Sequence, residues 1–218
     1  MNKEWSELNK EMQFLIKKHD KYKEGIEALN QLRNMLMNTI SSFKTSLSQE
    51  DFCAIPFINA NGYHSKTVAY SLWHIFRIED IVAHSLIADD NQVLFRGNYQ
   101  KRICSPIITT GNELIGQEIY VFSSMLNIDE LYEYITEVKE ETEKILNNLQ
   151  FEMLNKKITS EQKKNLLSLN VVSESEKAIW LVDYWCNKDI RGLIQMPFSR
   201  HWIMHIEACL RIINRIHK

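Results

Sequence analysis

The sequence has few of the residues that interrupt helices. It contains only three prolines and six glycines in 218 residues. Long stretches between them repeat apolar residues at spacings of three and four, a pattern typical of amphipathic helices. We therefore predict an all-α chain.

Long apolar runs and blocks of one charge are also missing. No run of about 18 apolar residues occurs, and the first residues lead into a charged amphipathic stretch without an apolar signal core. The formal net charge is -2, and lysine and arginine are spread along the chain. A basic surface for DNA or RNA is therefore not indicated. We expect neither a membrane nor a nucleic acid as partner.

The four cysteines stand far apart and form no C-x-x-C pair. This spacing is typical neither of a zinc ribbon nor of a dense disulfide framework, so we expect reduced thiols and a cytoplasmic location. The composition does not shift sharply along the 218 residues, a length sufficient for one buried core. We therefore expect a single domain over residues 1–218.

The apolar pattern places the helices and loops. We predict helices over residues 5–18, 26–47, 66–88, 129–155, 160–169, 175–186 and 198–216. Ser65 and Asp129 are the expected N-caps of the third and fourth of these helices. Residues 48–64 are predicted to form a turn-rich loop, and residues 89–111 a long excursion of the functional or mobile kind. The long helices predict a four-helix bundle with an extra N-terminal helix and short accessory helices.

Two histidines, His201 and His205, are spaced four residues apart within the last predicted helix. A helix brings both imidazoles to one face, one turn apart, so that both could reach one ion. Two ordinary polar residues would have the same spacing. The residue after His201 is Trp202, where a zincin H-E-x-x-H motif has glutamate, so metalloprotease chemistry is not supported.

A third histidine, His74, lies midway along the most hydrophobic predicted helix. A buried imidazole there needs a hydrogen-bond partner or a metal, since burying it unpaired is unfavourable. Three neutral imidazoles from two facing bundle helices would make an open three-histidine site, which leaves a coordination position for water. We therefore predict one divalent metal ion held by His74, His201 and His205.

The order of these features resembles the DinB-like superfamily of four-helix-bundle metalloenzymes, which includes YfiT-like and mycothiol-dependent proteins. The resemblance rests on a turn-rich loop entering the helix Thr67-Val-Ala-Tyr-Ser-Leu-Trp-His74, on a middle helix beginning Asp129-Glu-Leu-Tyr-Glu-Tyr, and on His201-x-x-x-His205. It covers roughly residues 26–216. The family places one metal-binding histidine on the second helix and two on the last, which implies the same three residues here. The chain departs from the family after His205, where it reads Ile206-Glu207-Ala208-Cys209.

Four further residues are candidates for the substrate pocket. Arg77 follows His74 by three residues and could bind a carboxylate or phosphate, or instead pair with Glu79 or Asp80. Cys209 lies one turn beyond His205 and could approach the metal as a thiolate, but the preferred interpretation is a small core cysteine. Trp73 and Trp202, together with Trp185, could wall the pocket or belong to the core.

Taken together, these features favour a metal-dependent enzyme acting on a small-molecule substrate. The ion could be zinc, nickel or iron, because imidazole suits all three. The family resemblance implies either hydrolysis or transfer of a low-molecular-weight thiol. The alternative is a non-catalytic, metal-binding or stress-related bundle protein, which could act as a dimerisation module. A homodimer is possible in either case.

Overall fold

Helices make up the regular secondary structure of the computed structural model, which describes residues 2–59 and 65–218. The all-α prediction is confirmed for that part of the chain. Within it, extended pairing is limited to one isolated antiparallel bridge between Lys157 and Asp189. No helix among these residues is long and apolar enough to cross a membrane.

Twelve α-helices run through the described part of the chain. They are α1 (Lys3–Leu15), α2 (Tyr22–Ser46), α3 (Gln49–Cys53), α4 (Val68–Asp80), α5 (Val93–Arg96), α6 (Tyr99–Arg102), α7 (Gln117–Met125), α8 (Ile128–Asn148), α9 (Ser160–Ser168), α10 (Trp180–Cys186), α11 (Ile190–Gln195) and α12 (His201–Ile216). A π-helical segment, Ile81–Ala88, continues α4, and another, Met196–Arg200, leads into α12. A 3-10 turn, Phe151–Asn155, follows α8.

Four of the longer helices pack in a closed ring of neighbours. Helix α2 contacts α8, α8 contacts α4, α4 contacts α12, and α12 contacts α2. Helix α1 lies against α2. Every residue of α4 is buried, as its apolar residues on nearly all sides predict. This helix, which carries His74, is therefore in the interior of the fold.

A buried ion pair ties three of these helices together. The Arg33 guanidinium of α2 donates to both carboxylate oxygens of Glu79 in α4, at 2.8 and 2.7 Å. The indole Nε1 of Trp202 in α12 donates to the same carboxylate at 2.8 Å. Burial alone would lower the pKa of Arg33, but its pairing with Glu79 raises the pKa above the ordinary value. The hydrogen bond from Trp202 to Glu79 joins α12 to α4, the two helices that carry the three histidines.

The N-caps of two helices differ from those predicted. The hydroxyl of Thr67 caps α4 by accepting from the backbone N–H of Tyr70 at 2.9 Å, so the prediction of Ser65 is wrong by two residues. Asn127 caps α8, and Asp129 lies in its first turn. In each case two polar residues that stand two positions apart could both cap the helix, and the sequence pattern does not decide between the two.

The loops also differ from their predictions. Helix α3 forms within residues 48–64, because Ser48 and Asp51 complete a capping box; residues 60–64 of that predicted loop lie outside the described residues. The excursion over 89–111 contains α5 and α6, and the Asp80 carboxylate accepts from two backbone N–H groups of α5 at 2.8 and 3.0 Å. Helix α11, which the periodicity missed, begins where Asp189 accepts from the N–H of Gly192.

Candidate metal centre

The three predicted histidines meet in one cluster. The ring centroid of His74 lies 5.0 Å from that of His201 and 4.7 Å from that of His205, and the last two centroids are 4.5 Å apart. One potential ligand atom of each residue lies within 4.8 Å of the others. Because all three residues are buried, the cluster forms a group of nitrogen donors that could hold a metal ion.

The orientation of His74 is set by one hydrogen bond. Its Nδ1 lies 2.8 Å from the carbonyl oxygen of Thr110. A carbonyl only accepts, so Nδ1 carries the proton and Nε2 keeps its lone pair. The ring also stacks on Tyr70, with centroids 5.6 Å apart and planes 11° from parallel. Metal-binding histidines are commonly held by a carbonyl in this way.

A strap of backbone, residues 108–111, lies along α4 and supplies that carbonyl. Each of its four consecutive carbonyls accepts a hydrogen bond from a side chain of α4. The donors are Arg77 Nε to residue 108, Trp73 Nε1 to residue 109, His74 Nδ1 to residue 110 and the Tyr70 hydroxyl to residue 111, at 2.7, 3.0, 2.8 and 3.0 Å. Gly111 has a φ of 79°, a conformation that favours glycine. The strap therefore connects the predicted excursion directly to the histidine cluster.

The other two histidines owe their placement to the start of α12. His201 is the first residue of this helix, and His205 follows one turn later on the same face. The Nδ1 of His201 is buried and has no hydrogen-bond partner among the described residues. Buried polar atoms are nearly always paired, so this nitrogen needs an explanation. A metal ion would satisfy it, and the donor set of three imidazoles suits zinc, nickel or iron.

Burial keeps the three imidazoles neutral. It lowers the pKa of His74 from its ordinary value of 6.5 to about 4, although the bond to Thr110 opposes the shift. Burial also lowers the pKa values of His201 and His205 well below the ordinary value, and the neighbouring histidines lower them further. Only a neutral imidazole has a lone pair to offer a metal. At neutral pH all three side chains are therefore in the ligand form.

The histidines line a cavity of about 660 Å³. Its other walls are the N-terminal side of α4, the segment after the strap, α10 and the π-helical turn before α12. The lining residues are Ser65, Lys66, Tyr70, Ile78, Asn112, Leu114, Ile115, Lys177, Trp180, Leu181, Tyr184, Trp185, Met196 and Pro197. The volume falls in the range typical of small-molecule sites.

None of the four further pocket candidates is among the described residues that line the cavity. Arg77 is fully buried, where it pairs with Asp80 and donates to Gln92. Trp73 packs against Phe122 and bonds to the strap. These two residues hold the backbone that orients His74 and do not face the cavity.

Trp202 and Cys209 belong to the core. The indole of Trp202 packs edge-on against Phe76 and bonds to Glu79, while the Arg33 guanidinium lies 4.5 Å from its ring. Cys209 is fully buried, and burial raises the pKa of its thiol to about 12. In the absence of a metal, a thiol with that pKa stays protonated at neutral pH, and Cys209 is not among the described residues that line the cavity.

Sequence reasoning missed several cavity residues, although a signal was present. Tyr70 and Ile78 stand four residues on either side of His74, which puts them on its side of the helix, and Lys66 stands four residues before Tyr70, just before α4. Lys177, Trp180 and Tyr184 stand three and four residues apart near α10. The spacing within each set is visible in the sequence, whereas the meeting of the two sets depends on the tertiary fold.

The chain matches no protein-family model, and no curated protein is similar to it. The resemblance to the DinB-like superfamily therefore stays a prediction based on the motifs themselves.

Proposed function

We propose that the protein is a metal-dependent enzyme that holds one divalent ion, zinc, nickel or iron, through His74, His201 and His205. The observation that carries this proposal is the group of three buried imidazoles, with ligand atoms within 4.8 Å of one another, on the wall of a small-molecule cavity. The ring of contacts among α2, α8, α4 and α12 supports a four-helix bundle of the DinB-like kind.

The chain prepares the site for such an ion in three ways. Thr110 holds the proton of His74 on Nδ1, which leaves Nε2 as the ligand. Burial keeps all three rings neutral. Apolar and aromatic side chains, among them Leu181, Trp185 and Pro197, form much of the cavity wall beside the histidines. When bound, an ion with three imidazole ligands supplies Lewis-acid activation, which serves both hydrolysis and thiol transfer.

The lining of the cavity bears on the choice between these reactions. None of its described residues is an aspartate or glutamate, so a carboxylate general base for hydrolysis is missing from that set. This favours transfer of a low-molecular-weight thiol to a small electrophile, which needs activation of the thiol more than a separate base. Hydrolysis remains the second reaction to be assayed, and a homodimer is the proposed assembly.

The test is the metal content of protein purified without chelator. We expect about one equivalent of zinc, nickel or iron per chain in the wild type, and loss of that metal in His201→Ala. His217→Ala is the matched control, because this histidine follows α12 and its side chain is 48% exposed. Absence of stoichiometric metal from the wild type would refute the proposal.

Enzyme activity is tested separately on the metal-loaded protein. Thiol transfer to an electrophile and hydrolysis of esters and amides are measured for the wild type and for His201→Ala. Turnover that is lost with the metal supports the enzyme. Stoichiometric metal without turnover in any of these assays would favour the non-catalytic alternative, a metal-binding or stress-related protein.

A further inference from the structure

The cavity carries positive charge beyond the metal centre. Two ammonium groups, those of Lys66 and Lys177, line it beside the three neutral histidines, and the described lining contains no carboxylate. Lys66 lies just before α4 and Lys177 just before α10. These two cations come from distant parts of the chain, and the fold brings them to one space.

Neither lysine is neutralised by a described residue. In the part of the chain that the structure describes, no ion pair joins Lys66 or Lys177 to a carboxylate, while other lysines such as Lys44, Lys139 and Lys163 each have one. Lys66 is half-buried, and burial followed by the nearby charge of Lys177 lowers its pKa. Two like charges held near each other without a counter-ion attract an anion into the space they share.

The wall next to Lys177 is aromatic. Trp180 is 49% exposed although it is a large apolar residue, and its ring packs edge-on against Tyr184 with centroids 5.7 Å apart. The indole Nε1 donates to the Lys177 carbonyl at 2.9 Å, which fixes the ring beside that lysine. Trp185 and Leu181 continue this wall into the cavity. An exposed aromatic residue at a cavity is typical of a surface that binds an apolar group.

We propose that the cavity binds an organic anion, with a carboxylate or phosphate group between Lys66 and Lys177 and an apolar body against Trp180, Tyr184 and Trp185. Binding of the anion does not depend on the proposed function. Only the further step, in which the bound anion is the substrate presented to the metal, rests on that function. Lys66 also lies 4.8 Å from the centre of the Tyr70 ring. A purely structural role for Lys66 would predict no preference among ligands of different charge.

The experiment compares probes that differ in charge. Binding of 4-phenylbutyrate, phenyl phosphate and the neutral 4-phenylbutanamide is measured by quenching of tryptophan fluorescence and by calorimetry. We expect the carboxylate to bind about tenfold more tightly than its amide, with an affinity that falls as salt is added. Comparison of the affinities for phenyl phosphate and 4-phenylbutyrate shows which anionic group the lysines prefer. Equal affinity for the carboxylate and the amide would overturn the proposal.

Variants assign the effect to the two lysines. Lys66→Met and Lys177→Met keep the length of the side chain and remove its charge. Each should weaken binding of the anions by roughly three- to tenfold and leave the amide unchanged. Lys66→Arg should restore the preference. Lys10→Met, an exposed position on α1, is the matched control and should change nothing. Lys177 is exposed, so its variant tests the proposal even if Lys66→Met is unstable.

Metal analysis of the same samples separates the two proposals. If the protein holds no metal but the preference for anions depends on both lysines, the proposed metal function fails and the anion site stands. If metal is stoichiometric and neither lysine variant alters anion binding, the anion site is wrong and the metal centre is unaffected. Repeating the titrations on chelated protein shows how much of the affinity comes from the lysines alone.

Discussion

Replacement of His74 by asparagine should change how the metal-free protein responds to acid. The asparagine amide would keep a side-chain N–H close to the position of His74 Nδ1, which now donates to Thr110, but the titrating ring would be gone. In the folded protein the pKa of His74 is about 4, below its ordinary value of 6.5. Between these two pH values the unfolded chain binds a proton that the folded chain does not. Titration of His74 therefore leaves the stability of the wild type unaffected above pH 6.5. It lowers the unfolding free energy progressively as the pH falls from 6.5 toward 4.

The size of the effect follows from the shift. One pKa unit corresponds to about 1.4 kcal/mol, so the full penalty from His74 alone is roughly 3 kcal/mol. Relative to pH 7.5, linkage predicts that His74 destabilises the wild type by about 2 kcal/mol at pH 5 and by about 3 kcal/mol at pH 4. Neither loss should occur in His74→Asn. Any fixed effect of the substitution cancels, because only the change with pH is compared.

The assay is urea-induced unfolding of chelated protein at pH 7.5, 5 and 4. The difference in unfolding free energy between the wild type and His74→Asn should fall with pH by the amounts above. His19→Asn serves as the control, because it removes a histidine whose side chain is 75% exposed. Parallel pH curves for the wild type and His74→Asn would refute the burial of a neutral imidazole at this position.

Three further predictions concern the supports of the site. Gly111→Ala should destabilise the protein by roughly 1–2 kcal/mol and weaken metal binding in a metal titration, because the backbone has a φ of 79° and the new Cβ would lie 3.0 Å from the Tyr70 ring; an unchanged metal affinity would show that the strap does not position His74. Glu79→Gln should lower the unfolding free energy by roughly 3–5 kcal/mol, because it removes the closest counter-charge of the buried Arg33 and leaves only the 3.6 Å pair with Glu143; Glu141→Gln, which weakens the solvent-accessible pairs with Lys144 and Arg96, should lower it by less than about 1 kcal/mol. Cys209→Ala should leave the metal content unchanged, because the thiol lies outside the cavity lining; a loss of metal would place Cys209 at the site.

The helices could be predicted where their apolar faces are regular. The periodicity located the starts of α2, α4, α8 and α12 to within four residues, because each buries one broad stripe or, for α4, its whole surface. The predicted ends of α4 and α8 were too late, because the chain continues there as a π-helical segment and as a 3-10 turn. The π-helical turns over residues 81–88 and 196–200 were not predicted. Such turns insert a residue without changing composition, so nothing in the local sequence marks them.

The cluster of three histidines could be predicted in part. The pair His201 and His205 follows from local helix geometry, since residues four apart share a face. Adding His74 required its helix to face the last helix, which followed from the predicted bundle and was also implied by the family resemblance. Because Arg77 follows His74 by three residues, the sequence left open whether its side chain faces the cavity. In the structure the side chain points to Asp80 and to the carbonyl of residue 108. Those acceptors come from other turns and loops, which local spacing does not reveal.

The remainder of the cavity depends on contacts between distant segments. Lys177 and Trp180 lie more than a hundred residues after Lys66 and Tyr70, and only the packed fold brings them to one wall. The strap over residues 108–111 contributes backbone carbonyls, which every residue has. A side-chain pattern cannot identify such acceptors in advance.

The central claim is that His74, His201 and His205 together hold one metal ion. The most direct test is anomalous diffraction from crystals of protein purified without chelator, with data collected on both sides of the zinc, nickel and iron absorption edges. We predict one peak, about 2.0–2.3 Å from a nitrogen of each of the three imidazoles, whose edge identifies the element. The absence of a peak between these rings in metal-replete crystals, or a metal bound only elsewhere on the chain, would contradict the account.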